Sequence, residues 1–346
     1  MKYNDSYWQD VKKVLPAVKN ISSLFGKSVL ITGGTGLICS GVVDILYYLN
    51  KNENANIKIY LAGRSEERTA KRFYNMVAGK DYFFVKYDAT VSSELDVDAD
   101  YIIHGASNAN PAAYVAEPVE TMAANFIGLN NLLSLAAKKN AKRVLYLSSS
   151  EVYGQKDSMD PYFENDYGFL DILNQRASYP SSKRAAETLC VAYSMEYNLD
   201  TVIVRPGHIY GPAVIPSDNR ATAQFTRNAV NREDIVMKSA GSQLRSYCYS
   251  LDCASAILAV LLNGERENAY NISNPDSIIT ISAIAKAIAN AAGRKLTFEN
   301  PADAEAKGYN LMSNSSLDSK KLEGLGWYAV FSPEEGARRC VEFYSE

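Results

Sequence analysis

The sequence predicts an α/β protein: a Rossmann-type doubly wound parallel sheet with a smaller C-terminal α/β lobe. Three observations lead there. Short apolar runs alternate with stretches of helical periodicity, the runs are apolar on both faces as buried parallel strands are, and a glycine-rich turn follows the first run directly. A length of 346 residues suits one large domain or two intimately joined ones.

The elements follow in order. Val11, Val14, Leu15 and Val18 recur at helical spacing in the first 25 residues, which read as a helical extension over 1–26 that Gly26 ends. SVLIT (28–32) is an apolar run, Leu37 to Asn50 has helical periodicity, and IKIYLAG (57–63) is a second run, giving strand, helix, strand. The rhythm continues through FFVKYD (83–88), DYIIHGAS (100–107), a helix from about Glu120 to Lys139, RVLYLSS (143–149), a helix from near Tyr179, and TVIVRP (201–206). Residues 27–212 are therefore assigned to the sheet domain. After Gly211 the pattern loosens into PAVIPSDNR and a charged stretch. YNISNP (270–275) reads as one more strand, returning to the sheet from about 268, and Ile281 to Ala292 as a helix, so 213–346 reads mainly as a second lobe. In such sheets ligands bind at the carboxyl ends of the strands, so functional residues are sought just after each run.

Composition narrows the classes. With 47% apolar and 22% charged residues and a net charge of -3, the chain is an ordinary globular one that does not favour nucleic acid. No apolar run approaches the roughly 18 to 20 residues of a membrane-spanning helix, and MKYNDSYWQD lacks the pattern of an export signal, so a cytoplasmic location is the expectation. Five scattered cysteines, without a CxxC, suggest reduced thiols rather than disulfides or zinc. Two histidines and no GxSxG argue against imidazole metal sites and a Ser-His-Asp hydrolase, so no metal is expected.

Thr32-Gly33-Gly34-Thr35-Gly36-Leu37-Ile38-Cys39 lies after a strand and opens a helix, the context a dinucleotide loop requires. Gly33 and Gly36 allow the tight turn and the approach of a pyrophosphate to the helix N-terminus. Cys39 stands where a third glycine is usual. At the end of the second strand, where a carboxylate would bind the ribose 2'-hydroxyl of NAD, the chain has Ala62-Gly63-Arg64-Ser65. A guanidinium there suits a 2'-phosphate, which leans the reading to NADP over NAD, with a plain surface cation as the alternative. Asp88, after the third strand, is placed to accept from an adenine amino group. Gly26-Lys27-Ser28 resembles the end of a P-loop, but it precedes a strand and residue 21 is Ile.

Tyr179 and Lys183, four apart, share one helix face, with Pro180 near the helix start. A phenol of ordinary pKa about 10 becomes a useful base when a cation depresses it, and Lys183 is the candidate cation. Tyr47 with Lys51 and Tyr82 with Lys86 share that spacing, so position decides. Ser148-Ser149-Ser150-Glu151-Val152-Tyr153-Gly154, at the end of a strand, supplies a hydroxyl and a carboxylate beside the pair.

TGGTG, SSSEVYG, YPSSK and RPGHIYGP (205–212), with GSQLRSYCYSLD (241–252), YNISNP and LGWYAVFSPEEG (325–336), resemble in order the extended short-chain dehydrogenase/reductase family, in its NAD-dependent epimerase/dehydratase group of nucleotide-sugar enzymes. The resemblance covers 27–346 and is closest to UDP-glucuronate decarboxylase-like members. It implies Tyr179 as base, Lys183 as its electrostatic partner and ribose ligand, Ser149 as the hydroxyl on the sugar oxygen, and Glu151 as a further catalytic group. For the cofactor it implies Gly33, Thr35, Gly36, Leu37, Ile38, Arg64, Asp88, Ala106, Tyr179, Lys183 and Pro206. For the substrate, a nucleotide-diphosphate sugar, it implies Ser150, Arg176, His208, Arg220 and Arg245.

The implied reaction is transient oxidation at sugar C4 followed by decarboxylation or dehydration. Glu151 matches an acid that simple 4-epimerases often lack, and Arg176 and Arg245 look like positions that decarboxylases use for an anionic substrate; Arg245 gripping only the diphosphate is the alternative. His208 stands where the family usually has Asn, and reads equally as a substrate ligand or a buried structural histidine. A 4-epimerase, an NADPH-dependent reductase and a non-catalytic NADP-binding regulator remain as alternatives. A homodimer through the helices near 120–139 and 179–198 is carried over from the family.

Overall fold

The computed structural model describes residues 3–213, 218–299 and 312–345. Part of the loosened PAVIPSDNR stretch, 214–217, lies outside the described residues. Seven parallel strands form the main sheet: β1 (Ser28–Thr32), β2 (Lys58–Gly63), β3 (Phe83–Lys86), β4 (Tyr101–His104), β5 (Arg143–Leu147), β6 (Thr201–Pro206) and, after a short β7 (His208–Tyr210), β8 (Ile235–Met237) and β9 (Leu244–Tyr249) that lie elsewhere, β10 (Ala269–Ile272). Their spatial order is β10-β6-β5-β4-β1-β2-β3, so the strand order reverses between β1 and β4. The sheet is buried on both sides because alternate residues of β1 feed two cores, Val29 and Ile31 into one and Leu30 into the other.

The first core lies under α1 (Asp5–Val14) and α2 (Leu37–Asn52); the second lies under α5 (Pro118–Lys139) and α6 (Ser178–Tyr197), which follow the short α3 (Glu66–Arg72) and α4 (Pro111–Ala116). The sequence reading placed no helix at several of these positions. α7 (Ala221–Val230) is made mostly of small and polar residues, and α8 (Ser250–Asn263) is buried on nearly every side, so it has no polar face to give a helical period. α8 packs on α2 against the main sheet. With β10 it brings two elements of the 213–346 stretch into the first layer, so residue 212 is not a boundary in space.

The smaller part contains β11 (Ile278–Thr280), α9 (Ile281–Ala291), β12 (Leu296–Phe298), β13 (Asn314–Ser315), α10 (Lys320–Gly324) and α11 (Pro333–Ser345). β9 is its organising strand, antiparallel to β11 and parallel to β13 and β7. β8 pairs separately with β12. Among the described residues no helix is long and apolar enough to cross a membrane.

The N-terminal helix corrects the expectation of an appendage. Asn4 caps α1 by accepting from the Tyr7 amide, and Tyr7, Val11 and Val14 enter the first core. Its polar anchor is Asp44, fully buried on α2: Tyr7 Oη donates to Oδ2 at 2.5 Å, Tyr3 Oη to Oδ1 at 2.7 Å, and Arg72 pairs with Oδ2 at 3.2 Å. Burial raises the carboxyl above its ordinary pKa, while Arg72 and the two phenols oppose the rise. Asp10, also buried, faces Arg339 of α11 at 2.8 Å, so the two ends of the chain are clasped together. Asp44→Ala removes the acceptor of the Tyr7 and Tyr3 hydroxyls and the counter-charge of Arg72, which keeps only its bond to Tyr3, and urea denaturation is expected to show a loss of about 3 kcal/mol; a loss below 1 kcal/mol would show the anchor to be dispensable.

Candidate active site

The loop after β1 and the loop after β4 meet where the strand order reverses. Gly33 has φ +69°, and a Cβ there would stand 2.6 Å from the Gly105 carbonyl carbon and 2.8 Å from the Ala106 nitrogen. Thr32 Oγ1 accepts from the amides of Gly105 and Ala106, both at 3.2 Å, and therefore gives its own proton to His104 Nδ1 at 2.7 Å. His104 Nε2 then donates to the Ala124 carbonyl at 3.1 Å. Burial pushes this imidazole down to about 3, so it is a neutral structural group. Cys39 fills the space left by Gly105, whose Cβ would meet the sulfur at 2.3 Å. The bulkier residue at the third glycine position is thus accommodated by a glycine across the turn, and burial raises its thiol to about 12.

Gly36 caps α2 with no side chain, so no side-chain oxygen occupies the amides of the first turn. Uncapped amides and a helix dipole facing a backbone-to-backbone cradle fit a dinucleotide pyrophosphate. Thr35, Leu37 and Ile38 flank that cradle, and Ala106 lies across from it. Arg64 is exposed at the end of β2, where Lys86 Nζ donates to its carbonyl. Asp88 accepts from the amide and hydroxyl of Thr90, at 2.9 and 2.8 Å, and these bonds hold its carboxyl below the usual range.

The chemistry-bearing groups come from the ends of β5 and β6, the start of α6 and the small sheet. Tyr179, Lys183 and Glu187 form one stripe of α6 facing the sheet. Lys183 Nζ donates to the Leu147 carbonyl at 2.6 Å and stands 5.6 Å from the Tyr179 ring centroid. Burial lowers this ammonium to about 7, while Glu187 opposes the fall. Tyr179 is 6% exposed. Burial raises the phenol above its ordinary value, and the principal opposing influence is a hydrogen bond with Ser149. Glu187, which sequence reading missed, accepts from Ser148 Oγ at 2.5 Å and from Arg205 at 2.6 and 3.0 Å, locking α6 to β5 and β6. Pro206 ends β6 beside this lock, fully buried in the strand's pattern.

Ser149 caps a 3₁₀ turn over Ser150–Tyr153, with its Oγ accepting from the Glu151 amide at 3.2 Å. That turn lowers Ser150 and Glu151 into a cleft of about 320 Å³ whose wall includes Arg176, Pro180, His208 and Ser315. Glu151 keeps solvent contact within the cleft, yet the surrounding protein raises its carboxyl above the ordinary value, opposed by the charges of Arg176 and Arg245. Arg245 is 2% exposed on β9 and donates to the carbonyls of Leu244 and Met312 at 2.8 and 3.0 Å.

His208, on β7 beside β9, has no hydrogen-bond partner on Nδ1 among the described residues. Burial and the neighbouring Arg245 and Arg220 push it down to about 3, so it does not titrate near neutrality as its residue type suggests. Arg220 is paired with Asp218, from Nη2 at 2.6 Å, and its charge acts on Tyr179 and His208. The residue missed most clearly is Tyr114 on α4, stacked on Tyr179 with centroids 5.2 Å apart. It belongs to no motif, and only the folded chain brings it there. Among the described residues no cluster of three or more His, Cys, Asp or Glu side chains is arranged to hold a metal.

A parallel sheet with a dinucleotide cradle, and a Ser, Tyr and Lys set at the cleft beside it, define the chain as an NAD(P)-dependent nucleotide-sugar enzyme of the extended short-chain dehydrogenase/reductase type. Residues 29–273 match the NAD dependent epimerase/dehydratase family, and the chain belongs to it. UDP-glucuronic acid decarboxylase 3 of Arabidopsis thaliana is 31% identical over 311 residues, covering 89% of this chain and 86% of that protein. UDP-glucuronic acid decarboxylase 1 of Xenopus tropicalis is 28% identical over 331 residues, covering 95% and 75%. Among solved structures, UDP-glucose 4-epimerase of Thermotoga maritima with UDP-glucose superposes with a TM-score of 0.76 at 22% identity, covering 92% of this chain and 98% of that one.

Gly33→Ala adds a methyl against the β4 turn at a positive φ. Its affinity for NAD(H) or NADP(H) is expected to fall by about tenfold or more in a fluorescence titration, because the turn must open to relieve the contact.

Proposed function

We propose that the protein removes the carboxylate of a nucleoside-diphosphate uronic acid after oxidation at C4 of the sugar. The observation that carries this reading is Arg176 on the wall of the cleft, with the buried Arg245 close enough that both charges act on the Glu151 carboxyl. A planar, permanently charged guanidinium suits a carboxylate, and two such charges about a partly desolvated cleft favour an anionic sugar over a neutral one. The named relatives that are UDP-glucuronic acid decarboxylases support the same direction.

A nicotinamide dinucleotide, when bound, supplies the acceptor for the hydrogen that leaves the sugar carbon. Gly33, Thr35, Gly36, Leu37, Ile38 and Ala106 would hold its phosphates and adjoining groups, with Lys183 and Pro206 toward the nicotinamide end. Tyr179 accepts the proton of the C4 hydroxyl, and Ser149 hydrogen-bonds the same oxygen. With a ketone at C4, the bond from C5 to the carboxylate breaks, carbon dioxide departs, and the electron pair passes to the ketone oxygen, to which Tyr179 gives a proton. A proton then adds at C5 as the C4 oxygen returns its own to Tyr179 and the ketone reforms, and Glu151, whose carboxyl is raised, is suited to hold the proton bound for C5. Arg176 and Arg245 keep the carboxylate in place, His208 offers a neutral imidazole nitrogen to the sugar, and Ser150 lines the same wall.

NADP is the proposed preference. It is supported by Arg64 at the end of β2, the absence of a carboxylate at Ala62 and Gly63, and the proximity of the Lys86 ammonium to the Arg64 carbonyl. Asp88 retains its proposed contact to adenine through whatever acceptor capacity Thr90 leaves. A homodimer through the outer faces of α5 and α6 is proposed as well, supported by exposed Val119, Met122, Phe126 and Met195.

Incubation with UDP-glucuronate and either dinucleotide, followed by NMR and carbon dioxide release, tests the reaction. Released gas is expected together with a UDP-pentose where the hydride has returned to C4, or with a UDP-4-ketopentose and one equivalent of reduced dinucleotide where it has not; a 4-keto-6-deoxy product from a neutral sugar would assign dehydration instead. Tyr179→Phe should lower kcat by a factor of about 100 or more while the dinucleotide still binds, and an undiminished rate would remove Tyr179 as the base. Arg64→Glu should move the ratio of NADP to NAD dissociation constants toward NAD by about tenfold or more, read by fluorescence titration, and an unchanged ratio would show that no phosphate is held there.

A further inference from the structure

Tyr114 touches two groups of the proposed site at once. Its ring is 3% exposed and lies within 11° of parallel to Tyr179, at a centroid distance of 5.2 Å. Its hydroxyl accepts from Arg176 Nη2 at 3.2 Å, and the guanidinium carbon stands 6.0 Å from the centroid of the same ring. The charge of Glu151 also acts on this hydroxyl.

The ring is held from its own backbone. Asn110 caps α4 by accepting from the Ala112 amide at 2.9 Å, and the Tyr114 amide donates to the Asn110 carbonyl at 3.0 Å. Ser178, the residue before Tyr179, donates from Oγ to the Tyr114 carbonyl at 3.3 Å. α4 and the first turn of α6 are therefore tied together at the point where the two rings stack. The helix sets the Cα of Tyr179, but its phenol still turns about two side-chain bonds. A flat neighbour fixed by its own hydrogen bonds removes that freedom. Arg176 sits on a short 3₁₀ turn and has a long flexible stem, so a hydroxyl that holds its head reduces the ordering required when an anion binds.

We propose that Tyr114 is a positioning residue for this site: its ring face sets the plane of the Tyr179 phenol, and its hydroxyl holds the Arg176 guanidinium for the substrate's anionic group. The proposal rests on the assignment of proton transfer to Tyr179 and anion binding to Arg176.

Two variants separate the two roles. Tyr114→Phe keeps the ring and loses the hydroxyl, and with UDP-glucuronate and the holoenzyme KM is expected to rise about tenfold while kcat falls no more than about threefold. Tyr114→Leu loses both, and kcat is expected to fall by a further factor of about 30 or more. A purely structural role would move both parameters together in both variants, which would overturn the proposal.

The second readout needs no turnover. In holoenzyme labelled with ¹³Cζ-tyrosine, the Tyr179 resonance is assigned by its loss in Tyr179→Phe. Its titration midpoint is expected to fall by about half a pH unit or more in Tyr114→Leu, which admits water to the phenolate, and to stay unmoved in Tyr114→Phe. An unmoved midpoint in Tyr114→Leu would overturn the ring's role. If Tyr114→Leu does not fold, a Tyr114→Phe protein with unchanged KM overturns the hydroxyl's role by itself. If Tyr179→Phe turns over normally or UDP-glucuronate is not consumed, the reading of the reaction fails, and the resonance still decides whether Tyr114 governs the phenol.

Discussion

The architecture depends on a contact between two stretches of backbone. Where the strand order reverses, the turn after β1 touches the turn after β4, with no room for a side chain at Gly33 and a cysteine sulfur occupying the space beside Gly105. Such closeness is stable because its polar groups are paired: Thr32 takes two amide protons and passes its own to His104, which reaches α5 through the Ala124 carbonyl. A buried hydroxyl and imidazole without those partners would each cost about 1 to 3 kcal/mol. With them, the turn is held open toward the carboxyl ends of the strands, and the bare N-terminus of α2 is left for a phosphate.

The electrostatics of the cleft follow from burial more than from paired charges. Tyr179 is driven up and Lys183 down, so the enclosing protein pushes both toward their neutral forms. Their separation, 5.6 Å from ammonium to ring centroid, and the bond from Lys183 to the Leu147 carbonyl make Lys183 a fixture of the β5 end as much as a partner of the phenol. Behind it, Glu187 gathers Ser148 and Arg205 into a network that fixes the register of α6 against two strands. On the other side of the cleft, the charges of Arg176 and Arg245 act on Glu151, and burial together with Arg245 and Arg220 keeps His208 neutral.

The N-terminal helix belongs to this arrangement rather than decorating it. Asp44 lies on α2, the helix whose first turn forms the cradle, and its three partners come from the N-terminus and α3. Asp10 reaches in turn to α11. The helix whose N-terminus is left uncapped is therefore braced from near both ends of the chain. A buried carboxylate in this position is tolerated only because its oxygens are bonded by two phenols and a guanidinium.

The main sheet was legible because a strand buried on both faces must be apolar throughout and the helices between must be apolar on one side, and both patterns survive in β1 to β6 and in α2 and α5. The cradle and the Tyr179–Lys183 face were legible because turn geometry and helix spacing are local. α8 escaped because a helix buried all round shows no period, and α7 because its residues are mostly small or polar, with only Phe225 and Val230 large and apolar. Arg220 and Tyr114 mark the remaining limit. Arg220 pairs with Asp218, and a ring from another helix settled on Tyr179; neither contact has a local signature. The sequence by itself determined which residues have the right chemistry and which lie at strand ends. Only the tertiary structure decided which of them face one another, because that depends on contacts between segments far apart in the chain.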